Sequence, residues 1–313
     1  MATLDTQFAI IEGCRLEYQW HGPPADEAPT VVFLHEGLGA ITRWRDFPAT
    51  LCAQLGWGGL VYNRQGYGRS DPLRAPLKPP FMHHEALDVL PRVLDTFKIS
   101  RPVLFGHSDG GSIALISAGS TGRLTASAKA TAVRRSFERR RKAAPTKAAP
   151  TMAAPTMAAP TTAAATSAPR ALILESPHVF VEDMTVASIA ALRDSYRASD
   201  LRERLARHHG SNTDVLFESW TRVWLSDEFR GWNIEAYLPA VTCPTLVIQG
   251  RDDEYGTVRQ LDAIVEGVAG EVQTLVLDAC GHSPHIDQRE AVEAAALRCL
   301  EGLDLKRRFT DGS

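Results

Sequence analysis

Short apolar runs bounded by glycine or proline recur along this chain, and the stretches between them carry helical patterns. Thr30 to Leu34, Gly59 to Tyr62, Pro102 to Phe105, Ala171 to Leu174, Thr245 to Gln249 and Gln273 to Leu277 read as mostly parallel core strands. Phe8 to Ile11 and Arg15 to Trp20 read as an opening antiparallel pair. Glu85 to Phe97 is the clearest helix pattern, with apolar Leu87, Leu90, Val93, Leu94 and Phe97 on one stripe. Strand and helix alternate, which predicts an α/β fold built on a doubly wound, mostly parallel sheet.

Two segments interrupt that rhythm. Residues 179–238 hold a run of short helices, among them Val186 to Tyr196, Leu201 to His208 and Val215 to Leu225. Residues 119–169 hold a basic stretch, Arg134 to Lys142, followed by a five-residue Ala-Ala-Pro-Thr repeat. Proline at every fifth position forbids a long helix and the repeat has too little bulk for a core, so disorder is expected there. The predicted core is therefore 1–118 with 170–178 and 239–305.

Charge sharpens this division. The 119–169 segment has nine Lys/Arg against one Glu, a net +8, which leaves −11 on the rest of a chain whose formal charge is −3. A positive tether on an acidic body could bind nucleic acid or anionic lipid. The reading preferred here is a tolerated low-complexity insertion that folds back loosely on the acidic surface, with no nucleic-acid partner expected. No stretch reaches the roughly 18 unbroken apolar residues of a membrane span. The first residues, Met-Ala-Thr-Leu-Asp-Thr-Gln, lack a basic and then apolar leader, so a cytoplasmic location is expected. Five cysteines, Cys14, Cys52, Cys243, Cys280 and Cys299, are odd in number and without Cys-x-x-Cys, which speaks against a disulfide framework and a zinc site. Oligomeric state is left open by the sequence.

The candidate chemistry starts at Val103-Leu-Phe-Gly-His-Ser-Asp-Gly-Gly111, where an apolar strand runs into Gly-x-Ser-x-Gly and then a helix-like segment. That is the pattern of a nucleophile elbow, in which Ser108 sits on a sharp turn and Gly106 and Gly110 leave room for the backbone. An elbow serine needs a base and an acid, which in this architecture follow in the order Ser, Asp or Glu, His. Thr245 to Gly250 releases Asp252, Asp253 and Glu254 into a loop, and the next strand ends in a loop with His282 and His285. These groups lie just past the carboxyl ends of strands, where open α/β sheets place ligand sites.

Five stretches together resemble the α/β-hydrolase superfamily, in its lid-bearing, esterase-like serine hydrolase group: His35-Glu-Gly-Leu-Gly39, Asn63 to Ser70, the elbow, Gly250-Arg-Asp-Asp253 and Gly281-His-Ser-Pro-His285. The resemblance implies Ser108 as nucleophile, His282 as general base and Asp253 as the carboxylate that orients it, with Asp252 and then Glu254 as alternatives. It implies an oxyanion hole made by the N–H groups of Asp109 and Gly37, with Leu38 as the alternative to Gly37. Glu36 departs from the usual His-Gly-x-x-Gly. His107 and His285 read as packed neighbours, and the Asn63 to Ser70 turn as a structural brace for the Gly37 loop. The resemblance also makes 179–238 a helical lid, whose Phe180, Phe217, Trp220, Trp224, Trp232 and Tyr237 are candidates to line an acyl pocket. Leu38, His178, Phe180 and Trp220 are the expected substrate contacts.

The expected activity is hydrolysis of a small or medium carboxylic ester or thioester through an acyl-enzyme. Carbon-carbon bond hydrolysis of ring-fission products and a hydrolase-like ligand-binding receptor are the alternatives. No phosphate loop, dinucleotide fingerprint or metal-ligand cluster is legible, so no cofactor and no metal are expected.

Overall fold

Alternate residues of each central strand feed two different apolar layers. In β3 (Thr30–Leu34), Val31 and Phe33 enter one layer while Val32 and Leu34 enter the other. The same division holds in β5 (Val103–His107) and β6 (Ala171–Glu175). Strands buried on both faces need no polar alternation, which is why they read as unbroken apolar runs. The computed structural model describes residues 7–121 and 168–310, with side chains described through Leu303.

The remaining strands are β1 (Gln7–Ile11), β2 (Cys14–His21), β4 (Gly58–Tyr62), β7 (Thr245–Gly250) and β8 (Val272–Leu277). They form one eight-stranded sheet in the order β1-β2-β4-β3-β5-β6-β7-β8. β1 and β2 pair antiparallel, as does β2 with β4, and every later pairing is parallel. All eight predicted strands are present, with ends that differ from the expected ones by a residue or two.

One helix departs from its predicted phase. The pattern over Glu85 to Phe97 is the second part of a helical run that starts at Phe81 and ends at Thr96. Its middle, Glu85–Val89, is a π-helical turn in which the Leu90 N–H reaches back to the Glu85 carbonyl. Pro91 sits just beyond, and a proline ring strains a regular α-helical turn on its N-terminal side, so a widened turn relieves that contact. The extra residue rotates the stripe: Leu90, Val93 and Leu94 are buried, but Leu87 is exposed.

Between β6 and β7 the chain forms helices Asp183–Ser195, Leu201–His209, Thr213–Trp224 and Asp227–Arg230 and a 3-10 turn at Glu235–Ala240. The first three stand over the carboxyl ends of the strands and supply one wall of a cavity. The helix after β5 runs to residue 121. The expected insertion lies outside the described residues over 122–167. All five cysteines are buried. No helix of the described residues is long and apolar enough to cross a membrane.

Candidate active site

Ser108 holds a backbone angle that side chains rarely adopt, φ 52°. β5 ends one residue before it, and a helix begins one residue after it. The turn between is so tight that a Cβ on Gly106 would strike the Gly110 main chain, and one on Gly110 would strike the Leu34 carbonyl. Only glycine fits at either place, and the strain at Ser108 is held by its N–H, which donates to the Glu175 carbonyl at 2.8 Å. The sharp turn projects Ser108 into a cavity of about 300 Å³ that His282 also lines.

His282 leaves the loop after β8 with its imidazole against Asp253. Nδ1 lies 2.8 Å from Oδ1 and 2.9 Å from Oδ2. Asp253 is buried and also accepts from the Tyr255 N–H, the Gly256 N–H and the Gln249 side-chain amide. Burial works to raise the Asp253 carboxyl, but His282 and the Tyr255 N–H outweigh it and hold it far below the ordinary carboxylate range. Asp252 and Glu254 are exposed, so of the three acids only Asp253 meets the imidazole. The Tyr255 ring packs on His282 with centroids 4.8 Å apart.

Gly37 lines the same cavity as Ser108. Among the described residues neither its N–H nor that of Asp109 has a hydrogen-bond acceptor, and Asp109 opens a helix whose first N–H groups have no intrahelical partner. The loop is braced from the Asn63 to Ser70 turn. Arg64 donates to the Glu36 carbonyl at 2.8 Å, the Tyr67 hydroxyl donates to the Gly37 carbonyl at 2.9 Å, and Asn63 accepts from the Ile41 N–H. A fourth brace comes from the helical segment, where His209 accepts from the Gly68 N–H and lies 3.1 Å from the Leu38 carbonyl.

Of the expected substrate contacts, Leu38, His178 and Trp220 line the cavity and Phe180 does not. The chain after β6 is not a strand: Ser176 has φ 44°, and Pro177 follows. Gln260 then clamps both main-chain groups of Phe180, whose ring packs under the Arg259 guanidinium. Trp224 lines the cavity, whereas Phe217, Trp232 and Tyr237 do not and pack elsewhere. Trp220 touches both sides of the site, since its Nε1–H donates to Asp109 Oδ2 at 2.9 Å and its ring leaves no room for a Cβ on Gly37.

Sequence reasoning passed over Arg43, Tyr255 and His208 in the cavity wall and gave Glu36 no role. Glu36 carried a visible signal, because it replaces a glycine of the motif. Cys280 is pushed up to about 12, with burial as the main cause, so its thiol stays protonated. Among the described residues one group could hold a metal ion: His107, Glu175 and His285, all buried, with donor atoms within 4.8 Å of one another. One polar atom of each already bonds to protein, His285 Nδ1 with Glu175 Oε2 and His107 Nε2 with the His282 carbonyl, each at 2.6 Å, while His107 Nδ1, Glu175 Oε1 and His285 Nε2 have no hydrogen-bond partner among the described residues.

The sequence profile of the alpha/beta hydrolase family matches residues 31–295. The chain belongs to the alpha/beta hydrolase family. Solved structures that resemble this hydrolase-family chain include the enol-lactonase from Burkholderia xenovorans LB400, 18% identical, with a TM-score of 0.63 over 94% of this chain and 100% of that one. A thermophilic esterase from Thermogutta terrifontis is 17% identical, with a TM-score of 0.62 over 96% of this chain and 99% of the esterase. A carboxylesterase-study structure from Nitrososphaera gargenis is 15% identical, with a TM-score of 0.66 over 96% and 100%. No curated protein matches.

Proposed function

We propose that this protein is a serine hydrolase that cleaves a small or medium carboxylic ester or thioester through an acyl-enzyme. The observation that carries the reading is the two-point contact between Asp253 and His282 in a cavity shared with Ser108. Asp253 holds Nδ1–H, which leaves Nε2 as the basic atom of the ring. His282 takes the Ser108 proton as Oγ attacks the carbonyl carbon. The oxygen that becomes negative accepts from the Gly37 and Asp109 N–H groups, which have no other acceptor among the described residues. Collapse of the tetrahedral intermediate expels the alcohol or thiol, which receives that proton from His282. Water then repeats the sequence on the acyl-Ser108 ester and releases the acid.

The cavity volume supports a small or medium substrate, since about 300 Å³ is at the low end for ligand pockets. Leu38, Ile189, Leu192, Leu205 and the two tryptophans form an apolar wall suited to a hydrocarbon chain. An ester bond also agrees with the names of the enol-lactonase and the esterase among the similar structures. The test is labelling with a fluorophosphonate probe, followed by a panel of p-nitrophenyl acyl esters. Covalent labelling at Ser108 with ester turnover is expected. Ligand binding without labelling or turnover would replace this reading with a receptor.

A further inference from the structure

Glu36 stands one residue from the Gly37 N–H and lines the cavity in which negative charge is proposed to develop. Like charges repel strongly where water is scarce, so an uncompensated carboxylate there would oppose oxyanion formation. Glu36 is compensated on two sides. Arg43 Nε lies 3.4 Å from its Oε1, and His107 Nδ1 lies 3.4 Å from its Oε2.

His107 is fully buried and has only one group free to titrate toward Glu36. Its Nε2–H is committed to the His282 carbonyl at 2.6 Å, so Nδ1 is the atom that gains or loses a proton. Burial pushes the imidazole down, but the Glu36 carboxylate outweighs it and raises the imidazole above its ordinary value. For Glu36 the same contact with His107, helped by Arg43, outweighs burial and holds the carboxyl well below its usual range. The other charged or titratable groups near His107 are Glu175, its register partner on β6, the rings of His282 and His285, each 5.2 Å away, and His178, which packs on His282 and whose charged form His107 disfavours. Glu175 is occupied by His285 at 2.6 Å.

We propose that His107 is a positioning residue, a ring protonated on both nitrogens that ties Glu36 on the oxyanion loop to the main chain of His282 and offsets the Glu36 charge. The inference rests on the serine-hydrolase reading above. With His107 charged, Glu36, His107 and Arg43 sum to +1 beside the oxyanion, and with His107 neutral they sum to zero. The bridge also links two of the three loops that must align, so a single buried proton sets both their spacing and their field. Deprotonation of His107 costs activity while leaving substrate binding in place.

The experiment compares wild type, Glu36→Gln and His107→Gln, the last of which keeps a side-chain amide donor for the His282 carbonyl and loses the charge. Fluorophosphonate labelling and p-nitrophenyl acetate turnover of the wild type come first, since their absence would overturn the parent reading rather than this one. With turnover established, His107→Gln is expected to lower kcat about tenfold with KM within about twofold. Wild-type kcat should fall on an alkaline limb that lies above the ordinary histidine range. That limb should move toward acid in Glu36→Gln and vanish in His107→Gln. Histidine ring 15N spectra of the wild type at pH 7 give a readout independent of variant folding, and should show both His107 nitrogens protonated. An unmoved alkaline limb in both variants, or a singly protonated His107 in the wild type, overturns the proposal.

Discussion

The indole N–H of Trp220 donates to Asp109 Oδ2 at 2.9 Å, and so joins the helical segment over the cavity to the residue directly after Ser108. Both partners are buried, and Asp109 Oδ1 has no hydrogen-bond partner among the described residues. Burial raises the Asp109 carboxyl. Among the described residues the indole is therefore the one side-chain donor to a costly buried acid, while its ring lies against Gly37.

Trp220→Phe is expected to destabilise the protein by about 1–3 kcal/mol, since it keeps an aromatic ring and strands a buried acceptor. Urea unfolding, read as a shift in midpoint at constant slope, measures this. A midpoint equal to that of wild type would mean that Asp109 finds another donor.

Ser108→Ala is expected to abolish fluorophosphonate labelling and lower ester turnover by roughly 10⁴ or more, with the fold intact by circular dichroism. Unchanged turnover would remove Ser108 from the chemistry.

The two neighbouring aspartates separate cleanly. Asp253→Asn should cost about 10³–10⁴ in kcat, because the amide cannot hold the His282 tautomer that leaves Nε2 basic. Asp252→Asn, on an exposed side chain, should stay within about twofold. Steady-state kinetics of the pair on one ester decides it, and the reverse ranking would move the acid by one position.

Acid should erode stability before it titrates the carboxylates. His209 accepts the Gly68 N–H at Nδ1 and faces the Leu38 carbonyl with Nε2, an arrangement that only the neutral, Nε2-protonated ring satisfies. Its pKa is lowered to about 4, with burial as the main cause, and that of His178 falls likewise. Between pH 6.5 and about 4 the unfolded chain binds protons that these buried rings refuse, so stability falls as pH falls. Each shift corresponds to on the order of 3 kcal/mol across that window. Chemical denaturation at several pH values should show this slope, and His209→Asn, which can still accept from Gly68, should flatten it. An unchanged slope in the variant would place the acid sensitivity elsewhere.

What the sequence determined by itself was local in origin. Strands buried on two faces must be apolar at every position, and a serine forced into a positive φ between two chain crossings must be flanked by glycine. Both constraints are written within a few neighbouring residues, which is why the strands and the tight turn at Ser108 were legible, whereas the choice of Asp253 as the partner of His282 came only from the family resemblance. Tertiary structure decided the rest. Leu87 turned outward because a π-helical turn ahead of Pro91 added a residue to the stripe. Phe180 left the cavity because Gln260, 80 positions away, captured its main chain. Trp220 meets Asp109 across 111 positions, and Glu36 meets His107 only because β3 and β5 are neighbours in the sheet. Such contacts depend on how elements cross, and no periodicity within either partner encodes the crossing.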